Sequence, residues 1–111
     1  MKLIPIRNEE NGSVVRFLFW CPGCKNMHPF SVADAPPYTN WAFNGDLEKP
    51  TFTPSLLCNS QDPASRCHLF VTGGKIQFLG DCWHALKGQT VDMVDVDEET
   101  WEPTKKEEIK L

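Results

Sequence analysis

The residues with the clearest chemistry are cysteines, beginning with the pair in Cys21-Pro22-Gly23-Cys24. Proline and glycine between two cysteines bend the chain so that both thiolates point at one ion, as in zinc-ribbon turns. A redox pair of this spacing normally starts a helix in a βαβ unit, whereas this one lies between two runs typical of strands. The motif therefore favours metal binding, and thiol redox chemistry is the less favoured interpretation.

Two further cysteines, Cys67 and Cys82, complete a set of four thiolates if the turn packs against the segment that carries them. Four cysteines are typical of a closed structural zinc site, so zinc is the expected cofactor. His84 or His28 is the alternative that would replace one cysteine, while Cys58 is expected to be an ordinary strand cysteine. With only three protein ligands, one of them a histidine, the ion would instead hold a catalytic water.

A second candidate set consists of Ser55, His68 and Asp81. A carboxylate beside an imidazole fixes its tautomer and supports the cation formed when the histidine takes a proton from a serine nucleophile. Such triads are recognised by geometry, so the chain order Ser, His, Asp does not exclude one. The simpler interpretation is a hydrogen-bonded histidine and a serine that ends a turn, and the residues alone leave both open.

Both sets depend on a β-hairpin predicted over residues 66–86, with Gly73 and Gly74 at its turn. Glycines between two apolar, β-favouring runs are a strong hairpin signal, because tight hairpin turns need positive φ. The expected register pairs Val71 with Ile76, Leu69 with Phe78, Cys67 with Gly80 and His68 with Leu79. Since side chains alternate between faces, Cys67 and Cys82 then share the apolar face, and His68 and Asp81 lie on the other.

The rest of the chain predicts a mostly β fold, a small zinc-ribbon-like domain of antiparallel hairpins with little helix. Short strands are expected over residues 3–6, 14–20 and 25–32, an extended segment over 50–57 and an edge strand over 91–97, because these runs are β-branched, aromatic or interrupted by proline. A proline-containing loop is expected over 33–40. We expect one domain over residues 1–99, followed by a charged C-terminal tail over 100–111.

Charge and hydropathy exclude several classes. The net charge of −4, without a basic stripe, makes nucleic acid an unlikely partner. No segment approaches the ~20 apolar residues of a membrane span, and the first residues lack the apolar run of a signal peptide. We therefore expect a cytoplasmic protein that meets a protein substrate or protein partner. The sequence does not specify an oligomeric state.

Taken together, the motifs resemble an uncharacterised family of small Cys/His-rich proteins from bacteriophages and bacteria. The resemblance covers about residues 14–95 and is carried by the cysteine turn, the serine segment Pro50-Thr51-Phe52-Thr53-Pro54-Ser55, and two motifs of the hairpin region, Arg66-Cys67-His68-Leu69-Phe70 and Asp81-Cys82-Trp83-His84-Ala85-Leu86. Some relatives lie beside genes for ubiquitin-like conjugation. This implies peptidase or ester-cleaving chemistry on such proteins in a bacterial host cell.

We therefore expect a small zinc-binding hydrolase in which Ser55 attacks a carbonyl, His68 acts as base and then acid, and Asp81 orients His68. A second enzymatic version makes the metal catalytic, with His68 or His84 as a ligand and Asp81 or Asp46 as the base. The alternative from another class is a non-catalytic zinc-ribbon adaptor that binds a host or phage protein through its aromatic surface.

Overall fold

The computed structural model describes residues 1–32 and 40–104, so nearly all of the expected proline loop and the last seven residues of the expected tail lie outside the described residues. Within the described ranges all regular structure is β-strand, in two antiparallel sheets. This confirms the predicted mostly β fold of antiparallel hairpins. None of these residues forms a helix long and apolar enough to cross a membrane.

The strands follow one another in each sheet in chain order. The first sheet contains β1 (Ile4–Arg7), β2 (Val14–Cys21) and β3 (Asn26–Ser31). The second contains β4 (Ala42–Phe43), β5 (Phe52–Cys58), β6 (Cys67–Thr72), β7 (Lys75–Phe78) and β8 (Thr90–Asp92). The expected edge strand over 91–97 is thus shorter than predicted, and Val96 instead forms an isolated bridge with Pro103.

An aromatic core joins the two sheets. Alternate residues of β2 are buried, which directs Phe17 and Phe19 towards the second sheet. From β3, the ring of Phe30 stacks on that of Phe52 in β5, with centroids 4.1 Å apart and an interplanar angle of 3°. Burying each phenylalanine contributes about 1.5–3 kcal/mol. This core holds the inner faces of the two sheets against each other.

The β6–β7 hairpin has the predicted register, with Leu69 opposite Phe78 and Val71 opposite Ile76. Gly73 and Gly74 form its turn with φ of 57° and 81°, the left-handed region that glycine enters without steric cost. The β-ladder ends at Phe78, so the expected pairing of Cys67 with Gly80 does not form.

Strand β5 contains a bulge where it crosses the hairpin. Phe52 lies opposite Val71 and Leu56 opposite Leu69, so that three residues of β5, 53–55, face Phe70 alone. Extra residues in one strand bend it and re-aim its side chains. Ser55 lies in this bulge, on the side of the sheet that carries His68.

Candidate functional site

Four side chains form a potential metal-binding group at one end of the core: Cys21, Cys24, Cys67 and His84. Their ligand atoms all lie within 4.8 Å of one another. Cys21 ends β2, Cys24 lies in the turn that follows, Cys67 begins β6, and the histidine lies in the loop after β7. Because they come from distant parts of the chain, an ion held here would join the two sheets.

The two buried thiols of this group have the spacing that a tetrahedral ion requires. Cys21 and Cys67 are both fully buried, and their Sγ atoms are 3.9 Å apart. Two Zn–S bonds of ~2.3 Å at the tetrahedral angle separate the sulfurs by about 3.8 Å. The hydrogen bond from Cys67 is the main cause that lowers the pKa of Cys21, and the same bond raises the pKa of Cys67. Cys21 is therefore favoured as a thiolate, the form that binds metals.

His84 is built into the cysteine turn by close packing. Its Nε2 lies 3.5 Å from Cys67 Sγ, and its ring packs directly over Gly23, where a Cβ atom would overlap the imidazole. Glycine is thus required between the two cysteines of the turn by the histidine above it. The indole of Trp83 donates a hydrogen bond to Cys24 Sγ at 3.3 Å, as outer partners of metal-binding thiolates commonly do. The residues present therefore fit a closed Cys₃His site.

The fourth member of the potential metal-binding group is His84, and the expected Cys82 lies outside the group. Cys82 is buried, but it faces the backbone of His68: its Sγ accepts from His68 N–H at 3.3 Å and donates to His68 C=O at 3.1 Å. The reason is that the hairpin ends at Phe78, and the following turn carries Cys82 beside β6 instead of continuing as a strand.

His28, the other histidine considered as an alternative ligand, lies beside the potential metal-binding group but is not one of its members. It is buried, and its Nε2 has no hydrogen-bond partner among the described residues. Burial acts to lower the pKa of His28, but the Cys21 and Cys58 side chains together raise it to about 11. A protonated His28 would place a positive charge beside the Cys21 thiolate. Cys58 ends β5, as expected for a strand cysteine.

Ser55, His68 and Asp81 lie in a continuous hydrogen-bonded row. His68 Nε2 is 3.2 Å from Ser55 Oγ, and His68 Nδ1 is 3.2 Å from Asp81 Oδ2. The two ring nitrogens therefore face a hydroxyl on one side and a carboxylate on the other. This is the geometry in which a carboxylate holds the tautomer whose Nε2 accepts a serine proton.

The strands determine this arrangement. Consecutive residues of β6 point to opposite faces, so Cys67 joins the buried metal-binding group while His68 lies on the outer face. The indole N–H of Trp41 donates to the carbonyl of Ser55 at 3.1 Å and so anchors the bulge that presents the hydroxyl. No local pattern in the sequence distinguishes Trp41 or Trp83 as a partner of either candidate site.

The outer face around His68 is partly exposed and carries two large apolar side chains beside the polar row. The His68 and Asp81 side chains are 25% and 41% exposed. Leu57, opposite His68 in the sheet, and Phe70, two residues along β6, are both exposed large hydrophobic side chains. A carbonyl group can therefore reach Ser55 from solvent, with apolar surface beside it.

Asp46, named as an alternative base, has a different role. Its Oδ1 accepts the backbone N–H groups of Glu48 and Lys49 at 2.9 and 3.1 Å, and these bonds lower its pKa. Among the described contacts it caps the turn between β4 and β5. None of the contacts described for Asp46 involves a residue of either candidate site.

A family model described as "Bacterial ubiquitination-like system serine protease (BubE)" matches residues 2–79, more than half of the 111-residue chain. The match includes the cysteine turn, Ser55 and His68, and it ends before Asp81 and His84. No curated protein matches the chain, and no solved structure does.

Proposed function

The chain belongs to this family of bacterial ubiquitination-like system serine proteases (BubE), and we propose that it is a metal-stabilised serine hydrolase that cleaves acyl bonds of ubiquitin-like proteins. The observation that carries the proposal is the row from Ser55 Oγ through both nitrogens of His68 to Asp81 Oδ2, with 3.2 Å at each step. Neither the core nor the cysteine cluster requires these three polar residues on the outer face.

In the proposed reaction, Ser55 Oγ attacks the substrate carbonyl while His68 Nε2 takes the hydroxyl proton. Asp81 accepts the hydrogen bond from His68 Nδ1–H and stabilises the imidazolium. His68 then gives its proton to the leaving nitrogen or oxygen as the bond to the carbonyl carbon breaks. Water, deprotonated by His68, hydrolyses the acyl-serine and restores the hydroxyl.

The family description supports a protein substrate. We propose that the acyl group is the C-terminal end of a ubiquitin-like protein and that the cleaved bond joins it to an amine or an alcohol. An exposed outer face suits such a substrate, because a protein-borne tail must reach the serine without entering a deep cavity. Leu57 and Phe70 would contact the apolar side chains that precede the cleaved bond. Both residues lie on the same face as His68.

The metal in this proposal is zinc, which Cys21, Cys24, Cys67 and His84 would hold. The bound ion would cross-link the β2–β3 turn, β6 and the loop after β7, and four protein ligands would leave no position open for substrate. Both ring nitrogens of His68 are hydrogen-bonded, to Ser55 and to Asp81, so neither is available to bind a metal ion in the metal-catalysed version. The loop that carries His84 also carries Asp81, so the site stabilises the position of the carboxylate.

The test combines elemental analysis of the purified protein with labelling by a fluorophosphonate probe, which reacts only with activated serines. We expect one zinc per chain and labelling that is lost in Ser55→Ala and in His68→Ala, with zinc retained in both. Ser60→Ala, at an exposed loop serine, is the matched control and should label like the wild type.

Hydrolytic activity is then measured on a bacterial ubiquitin-like protein with a C-terminal extension. Cleavage that depends on Ser55 would establish the peptidase. A zinc-loaded wild type that neither labels nor cleaves would overturn the proposal and favour the adaptor, which would bind its partner through the same apolar face.

A further inference from the structure

The Cys82 thiol accepts a hydrogen bond from His68 N–H that the residue opposite His68 in a regular hairpin would accept with its carbonyl group. Leu79 N–H donates to His68 C=O at 2.9 Å, as in a hairpin pair. The reciprocal bond, from His68 N–H to Leu79 C=O, is missing from that pair because Leu79 C=O accepts Cys82 N–H at 3.3 Å in the turn. The hairpin therefore ends with the His68 amide facing the turn.

The thiol of Cys82 replaces the Leu79 carbonyl group as the acceptor for His68 N–H. Its Sγ accepts from His68 N–H at 3.3 Å and donates to His68 C=O at 3.1 Å, so one side chain engages both polar groups of the same residue. Cys82 is buried and lies outside the group of potential metal ligands. Its two bonds thus join the turn directly to the backbone of His68.

We propose that Cys82 is a positioning residue that fixes the distance between His68 and Asp81. Asp81 precedes Cys82 in the chain, and its carboxylate meets His68 Nδ1 at 3.2 Å. The Cys82 thiol binds the backbone of His68, and Asp81 is the residue before Cys82. The backbone that carries the carboxylate is therefore fixed relative to the backbone that carries the imidazole. The inference rests on the proposed function, since only a working Ser55–His68–Asp81 set gives this distance a kinetic consequence.

The experiment compares Cys82→Ala with Cys82→Ser in the full zinc-loaded chain. Serine retains one donor and two acceptor sites at nearly the same place, whereas alanine retains none. With p-nitrophenyl acetate as substrate, and active sites counted with the fluorophosphonate probe, we expect alanine to lower kcat at least tenfold with KM within twofold. Serine should restore kcat to within threefold of the wild type, and both variants should keep one zinc per chain.

Amide hydrogen exchange at His68 gives a second measurement, independent of turnover. Exchange should be faster in Cys82→Ala than in the wild type and slow again in Cys82→Ser, while the amides of Leu69 and Val71 stay unchanged. If alanine prevents folding, the serine variant decides: slow His68 exchange and near-normal kcat support the inference, and a kcat as low as that of Ser55→Ala overturns it.

Two other results overturn it as well. Loss of zinc in both variants would make Cys82 a ligand, and a wild-type kcat in Cys82→Ala would show that the thiol positions nothing. Failure of the proposed function is distinguishable from these outcomes, because then the wild type itself would hydrolyse no ester and would not be labelled at Ser55.

Discussion

The buried cysteine cluster and the exposed serine site share two segments of chain but have opposite environments. Cys67 is fully buried between the sheets, while its neighbour His68 is partly exposed on the outer face. In the loop after β7, Asp81 is exposed and His84 is buried. Only two residues lie between Asp81 and His84 in sequence, yet the two belong to different sites.

The difference separates the two roles. Burial suits a structural ion, because ligands without access to water or substrate form a closed coordination shell. A nucleophilic serine must instead be reachable, and it depends on the direction of two hydrogen bonds more than on packing. Substitutions in the cluster should therefore affect stability and activity together, whereas substitutions in the serine site should affect activity alone.

The strongest test of this contrast is Cys67→Ser. It removes a fully buried ligand, and metal binding adds on the order of 10 kcal/mol of apparent stability to zinc-dependent folds. We expect loss of zinc, loss of cooperative unfolding and loss of activity, measured by elemental analysis, thermal unfolding and probe labelling. Cys58→Ser, at a strand cysteine outside the cluster, is the control and should keep its zinc. A stable, zinc-free and active Cys67→Ser protein would contradict the structural role.

Asp81→Asn tests the other half of the comparison. The carboxylate contacts His68 Nδ1 and is partly exposed, so its contribution to stability is small. We expect kcat to fall by roughly 10²–10⁴-fold, because an amide can hold the wrong histidine tautomer, while zinc content and the melting temperature stay unchanged. Asp46→Asn is the matched carboxylate control and should leave kcat unaltered. Equal kcat in both variants would remove Asp81 from the proposed set.

Gly23→Ala sharpens the assignment of His84. A Cβ at residue 23 would overlap the His84 ring, so the imidazole must move out of the cluster. We expect metal affinity to fall by roughly 10–100-fold, as when the surroundings of a ligand are disturbed, measured by competition with a chromophoric chelator. Gly80→Ala, where a Cβ meets open space, should bind metal normally. Unchanged metal affinity in Gly23→Ala would mean that a residue other than His84 is the fourth ligand.

The smallest expected effect belongs to Asp46, which serves neither site. Hydrogen bonds from the N–H groups of Lys49 and Glu48 lower the pKa of Asp46 in the folded protein. The stabilisation that Asp46 provides is therefore fully present above the pKa of an aspartate in the unfolded chain, about 4. The advantage of the wild type over Asp46→Ala in free energy of unfolding should be slight at neutral pH. It should disappear as the pH falls through the folded-state pKa, measured by urea unfolding at a series of pH values. A constant difference at all pH values would exclude the carboxylate as its cause.

Local sequence patterns were sufficient for most of the strands and for the register of the β6–β7 ladder as far as Phe78. The glycines at 73 and 74 and the alternation around them predict which residues face the core, because side-chain direction in a strand repeats every two residues. The same alternation separates Cys67 from His68. The bulge in β5 and the end of the ladder at Phe78 were not predictable in this way, since each depends on contacts between separate segments.

The sequence by itself therefore determined the residue types of both candidate sites, the mostly β fold and the hairpin on which both depend. Only the tertiary structure decided that His84, and not Cys82, approaches the other three ligands, and that Ser55 meets His68. The physical reason is that ligand choice depends on where a turn directs each side chain in space. Cys82 and His84 are two residues apart, and a local pattern does not distinguish which of them the loop turns towards Gly23.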